Sequence, residues 1–356
     1  MKKQILKLSQ ELIKINSTKD NPENLAMVLD VAKKELKGFN CKKFNKNNCP
    51  SLLFYNTKKL PKKFKILLNA HLDVVPGKNY QFKPVIKNGK LYGRGAIDMK
   101  TAAAVEILVF KEIANKLNYP FGLQIVTDEE IGGFNGTRYQ IEKGVKADFV
   151  IAGEPTNFDV NNKAKGIIWA TISTKGKSAH GAYPWKGDNA IAKMNQFLNT
   201  LYKTFPIPKK EVWETTINVA KIETTNETFN KIPDTCTLSL DVRYIPKDEK
   251  TVVRKLKKIL PKSFELEMKV NESCQFTKKN NSYIKILQNI TKKVTKKPSS
   301  LISQHGGADV RHFNKVGCAG ISFGPIGKGL HTDNEWVNVK SLEQYYQILK
   351  KFLLSV

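Results

Sequence analysis

Four short apolar runs, SLLFY (51–55), FKILLNA (64–70), GLQIVT (122–127) and DFVIAG (148–153), limit what this chain can become. Each has strand length, and a helical pattern, TAAAVEILVFKEIA, follows Asp98 between the second run and the third. Strands interleaved with helices predict an α/β sheet with helices on its faces. From about residue 165 the pattern changes to IIWATIST, a helix near 188–203, TTINVAKI, TCTLSLDVRY, a helix near 249–259 and FELEMKV, which suits a small α+β domain. The tail from about 278 returns to alternation and ends in the amphipathic SLEQYYQILKKFLLSV. The economical organisation is a main domain of residues 1–164 and 278–356, interrupted by an inserted domain of residues 165–277. A chain of 356 residues suits two domains, and 40% hydrophobic content can fill two cores.

Sixty Lys and Arg against 32 Asp and Glu leave a net charge of +28. Nucleic acid is one reading of such an excess. However, the lysines are spread along the whole chain in nothing longer than pairs such as Lys33–Lys34, with no helix-turn-helix, zinc finger or RNA-binding aromatic signature. The charge is therefore read as a solvated surface without a specific nucleic-acid partner. Cys41, Cys49, Cys236, Cys274 and Cys318 form no CxxC pair and fit a reducing compartment. In MKKQILKLSQELIKI the apolar residues Ile5, Leu8, Leu12 and Ile15 recur at helical spacing, broken by Lys7, Gln10, Glu11 and Lys14. That predicts an amphipathic helix and not a secretory leader. No apolar stretch approaches the roughly 20 residues a bilayer requires. A cytoplasmic protein is expected, with no membrane partner.

Five segments carry acids or histidine, most of them directly after apolar runs: HLD (71–73), GRGAIDMK (93–100), TDEE (127–130), GEPT (153–156) and GLHTDNEWV (329–337). Sites in open α/β sheets gather at the carboxyl ends of strands. Each segment alone has a plain structural explanation, such as a helix start or a turn. Together they supply two imidazoles, three carboxylates and one spare carboxylate, the inventory for two divalent metals with a bridging acid and a general base.

The wording and order of HLDVVPG, LYGRGAIDMK, TDEE, GEPT and LHTDNEWV resemble the co-catalytic di-zinc aminoacylase and carboxypeptidase family. That family includes acetylornithine deacetylases and succinyl-diaminopimelate desuccinylases, and the match spans nearly the whole chain. The resemblance implies a zinc-peptidase-like catalytic domain, a mixed sheet flanked by helices, with an inserted α+β dimerisation (lid) domain. It implies two zinc ions per subunit, with cobalt or manganese as substitutes. His71 and Glu154 would bind one, Glu130 and His331 the other, and Asp98 would bridge them. Asp73 would fix the far ring nitrogen of His71, and Glu129 would be the general base. A cis peptide is implied at Asp98–Met99.

In GKSAHGAYPWKGDNAI (176–191), His180 would enter a partner subunit's site and stabilise the oxyanion, so a homodimer is implied. Asn230 in FNKIPD and Arg243 in LDVRY would hold the substrate carboxylate, a task suited to an arginine fork. The loop HGGADVRHF (305–313) departs from the family's G-T-S-D-x-R-F, because Gly307 and Ala308 replace hydroxyl residues while Asp309 and Arg311 remain. That departure weakens a specific succinyl-diaminopimelate assignment. His305 and His312 are read as structural or peripheral. The expected activity is metal-dependent hydrolysis of the amide bond in an N-acyl amino acid. A carboxypeptidase or dipeptidase of the same fold is the alternative, and a catalytically inactive nucleic-acid-binding derivative a remote one.

Overall fold

The apolar runs become neighbouring strands of one mixed sheet in the computed structural model, which describes residues 1–356. The chain divides into two compact units: Met1–Lys163 with Gln275–Ser303 and Ala308–Val356, and Ala164–Cys274 with Gln304–Gly307.

At the centre of the first unit, Phe64–His71 lies parallel to both Phe121–Val126 and Ala147–Ala152, and Ala319–Ser322 continues the parallel set beyond Ala147–Ala152. Cys49–Tyr55 and Asn40–Lys46 add an antiparallel edge. The central strands are apolar on both faces because both are covered. Ile66, Leu68 and Ala70 pack into the core formed with helices Lys100–Ile113 and Val339–Leu353, while Leu67 points to the opposite face with Val150 and Phe313. Small residues Ala102, Ala103 and Ala104 let helix Lys100–Ile113 sit buried along all but Lys111 and Glu112. The buried Lys100 ammonium donates to the carbonyls of Leu12 and Ile15, tying in the end of helix Lys2–Ile13. A second, small sheet joins Val85–Lys87, Lys90–Tyr92, Trp336–Asn338 and Gly327–Lys328.

The second unit is a four-stranded sheet in the order Thr216–Glu223, Thr235–Tyr244, Gly166–Lys175, Phe264–Glu272. Strict alternation along Thr235–Tyr244 turns Cys236, Leu238, Leu240 and Val242 into the core. Helices Ala190–Thr204 and Val252–Ile259 cover that face with Met194, Phe197, Leu201 and Leu256. Asp241 and Arg243 therefore lie together on the other face, half-buried. No helix of the protein is long and apolar enough to cross a membrane.

Candidate metal centre and active site

Three parallel strands end side by side, and each delivers a polar residue at or just after its end. His71 closes Phe64–His71, Glu129 and Glu130 follow Phe121–Val126, and Glu154 follows Ala147–Ala152. Asp98 enters from the loop before helix Lys100–Ile113, and the Asp98–Met99 peptide is cis. His331 sits in the turn between the small strands Gly327–Lys328 and Trp336–Asn338, in the left-handed region at φ 60°.

These five side chains form two trios that share Asp98: His71, Asp98 and Glu154, and Asp98, Glu130 and His331. Within each trio the candidate ligand atoms lie within 4.8 Å of one another. His71 Nε2 is 3.0 Å from Asp98 Oδ1 and 3.8 Å from Glu154 Oε1. On the other side His331 Nε2 is 3.2 Å from Asp98 Oδ2 and 3.2 Å from Glu130 Oε2.

The first trio presents a definite tautomer. His71 Nδ1 lies 3.1 Å from the backbone oxygen of Asp73, which can only accept, so Nδ1 carries the proton and a neutral ring turns the Nε2 lone pair toward Asp98 and Glu154. The backbone of Asp73 is thus nearer than its carboxylate, which stands 3.5 Å from Nδ1. The other carboxylate oxygen of Asp73 accepts the Glu130 N–H at 2.9 Å, so the residue braces both trios.

A lone pair facing carboxylate oxygens is repulsive unless a cation lies between them; a proton on Nε2 fills that place in the charged ring, and a metal ion would fill it in the neutral one. Burial alone would lower the His71 pKa, but the carboxylates of Asp73 and Asp98 hold it well above the ordinary value. His331 is pushed up to about 10 by hydrogen bonds to Asp98 and Glu130. Burial favours the neutral form of Asp98, yet hydrogen bonds from His331 and His71 keep its carboxyl well below the usual range. Glu154 has the opposite balance: burial, then the Asp98 charge, raises it to about 8, and its buried Oε1 has no hydrogen-bond partner. Imidazole nitrogens and carboxylate oxygens so arranged fit divalent metal ions. Glu129, first residue of the short turn Glu129–Ile131, is left outside both trios. Burial and the Glu154 charge push its carboxyl well above the ordinary value.

Two supporting residues escape a reading of motifs alone. The buried Glu335 accepts the backbone N–H groups of Ile97 at 2.9 Å and Asp98 at 3.2 Å, and Arg94 Nη1 donates to its other oxygen at 2.7 Å. This clamp fixes the loop that presents Asp98. Both residues lie inside quoted segments, GRGAIDMK and LHTDNEWV, so the signal was their proximity in sequence to Asp98 and His331.

In the second unit, His180 is exposed, and its Nδ1 accepts the Ala182 N–H at 3.1 Å. A neutral His180 ring therefore carries its proton on Nε2. Asn230 lies next to it, its backbone oxygen accepting from Gly181 at 2.6 Å. Arg243 is elsewhere. Strand Thr235–Tyr244 pairs Thr235 with Lys175 and Arg243 with Ile167, so Asn230 lies beyond one end of the strand and Arg243 near the other. Eight residues at about 3.3 Å each separate Thr235 from Arg243 by about 26 Å. Within one chain, therefore, Asn230 and Arg243 do not meet at a single carboxylate. The guanidinium Nε is instead held by Asp241 at 2.9 Å. His305 is exposed, 3.1 Å from Glu211, whereas His312 is buried.

Such a centre, imidazoles and carboxylates at the carboxyl edge of a mixed sheet with a spare glutamate beside them, is that of a metal-dependent hydrolase. Residues 67–355 match peptidase family M20/M25/M40, and the chain belongs to that family. It is 30% identical to a succinyl-diaminopimelate desuccinylase of Pelagibacter ubique, over 97% of this chain and 98% of the relative. Among solved structures it is similar to the aminopeptidase PepT of Bacillus cereus (17% identity, TM-score 0.82, covering 99% of this chain and 98% of that one). It is also similar to the M20 family metallo-carboxypeptidase Sso-CP2 of Sulfolobus solfataricus (20% identity, TM-score 0.78, 98% of both chains). The protein is a metal-dependent amide hydrolase with an α/β fold.

Proposed function

We propose that this chain is a zinc deacylase that cleaves the amide bond of a small N-acyl amino acid, in the manner of the desuccinylases it resembles. The observation that carries the reading is the pair of trios sharing Asp98, with Glu129 beside them and outside both. His71 and Glu154 would hold one zinc, Glu130 and His331 the other, and Asp98 would bridge; cobalt or manganese would fit the same donors. When bound, such metals lower the pKa of a water to about 7 and polarise the amide carbonyl.

The residues of the chain do the rest. Glu129 takes a proton from the attacking water and returns it to the leaving amine. The Asp73 backbone holds the His71 ring in its ligating tautomer, and Asp73 and Glu335 keep Glu130 and Asp98 in register. His180, with its neutral-ring proton on Nε2, is suited to donate to the developing oxyanion. Arg243 and Asn230 would take substrate carboxylates from opposite ends of the inserted unit. That separation supports a homodimer in which one chain supplies Arg243 and its partner supplies His180 and Asn230. Five free cysteines support a reducing, cytoplasmic setting.

Purified protein loaded with zinc should hydrolyse N-succinyl or N-acetyl amino acids in a panel that also contains dipeptides. The glycine at 307 and the alanine at 308 leave the acyl group open. Dipeptide cleavage with no deacylation would overturn the deacylase reading in favour of a dipeptidase.

A further inference from the structure

Asp309, Arg311 and His312 pack against Gly132 and Gly133, next to Glu129 and Glu130. We propose that His312, with Arg311, is a positioning residue that sets the turn carrying Glu129 and Glu130. This rests on the reading of Glu129 as the base.

That turn is tight and has few internal restraints. Gly132 and Gly133 both occupy the left-handed region, at φ 108° and 66°, which glycine adopts at least cost. The turn closes through Gly132 N–H to the Glu129 carbonyl at 2.8 Å and Gly133 N–H to the Asp128 carbonyl at 2.7 Å. In front, Asp73 accepts the Glu130 N–H. Behind, both lone pairs of one carbonyl are used: Arg311 Nη2 donates to Gly132 O at 2.7 Å and His312 Nε2 donates to it at 2.9 Å. Asp309 fills the space against Gly133, where an added Cβ would stand 1.9 Å from Oδ1.

Both donors are buried, so neither bond is shared with bulk water. Burial and the neighbouring Arg311 push the His312 pKa down to about 3, which keeps it a neutral Nε2–H donor across the working pH range. The edge of its ring packs against Phe134, centroids 5.8 Å apart.

A base displaced by about 1 Å can cost up to about 10²-fold in rate. His312→Asn, whose shorter amide cannot reach Gly132 O, should lower kcat about tenfold or more with KM nearly unchanged. It should also weaken the metal held by Glu130, read by chelator competition. His312→Gln, which places an amide N–H near the Nε2 position, should restore most of both. Thermal melting is followed so that rates are compared on folded protein, and His312→Phe replaces His312→Asn should the latter not fold. Wild-type kcat and metal affinity in the donor-less variant, or equal losses in the Gln variant, overturn the positioning role. Glu129→Gln is assayed alongside. If it stays active, the base assignment fails; if it is inactive while the donor-less variant is normal, only the positioning claim fails.

Discussion

The two units of this protein place their polar groups in opposite ways. In the first, acids and imidazoles from five segments distant in sequence converge within a few ångströms in largely buried surroundings, and His71, Asp98 and Glu130 are each braced by a further residue. In the second, His180 and Asn230 stand exposed near one end of the sheet, and Arg243 lies near the other. All five candidate ligands of that centre come from one chain, and their geometry is set by the packing of the sheet that carries them. The second unit offers its groups singly, the arrangement that the proposed composite dimer would use.

The largest expected effect tests the self-contained half of this comparison. Glu129→Gln keeps the size of the side chain and removes its basicity. Turnover should fall by about 10²–10⁴-fold, while elemental analysis finds as much metal as in wild type. Loss of metal would move Glu129 into a trio and blur the division between ligands and base.

A smaller effect is expected from the second unit. His180→Ala should lower the rate by about 10²–10³-fold, the usual cost of one oxyanion donor, and leave metal content and dimer intact. Mixing it with Glu129→Gln under conditions that exchange subunits should recover part of the activity, since some mixed sites would combine an intact Glu129 with a partner's intact His180. Full activity in a verified monomer, or no recovery despite verified exchange, would remove the composite site and leave the second unit a passive insertion.

The same contrast explains what could be read in the sequence. His71 and Glu154 directly follow apolar runs, and parallel strands that pair side by side bring such positions together, so their convergence follows from a local pattern. The change of pattern near 165 likewise announces a separate core, whose alternation along TCTLSLDVRY is strict. Other features depend on partners remote in the chain and leave no local trace. The three-residue strands Val85–Lys87, Lys90–Tyr92 and Trp336–Asn338 are too short to have a period. Residues 304–307 join the second unit although the sequence around them continues the first. Glu335 and His312 read as ordinary turn and helix residues until the carbonyl and amide groups they bind are placed beside them. Arg243 illustrates a different gap: its motif was visible, but its distance from Asn230 depends on strand direction, which a motif does not carry.

The central claim is that one carboxylate serves both trios, and the titration of Asp98→Ala with zinc tests it most directly. Both oxygens of Asp98 face an imidazole, Oδ1 toward His71 at 3.0 Å and Oδ2 toward His331 at 3.2 Å. Removing it should weaken both binding steps together while the fold survives, as followed by calorimetry and melting on the same samples. One step retained at wild-type affinity would contradict a shared bridge and leave two independent sites.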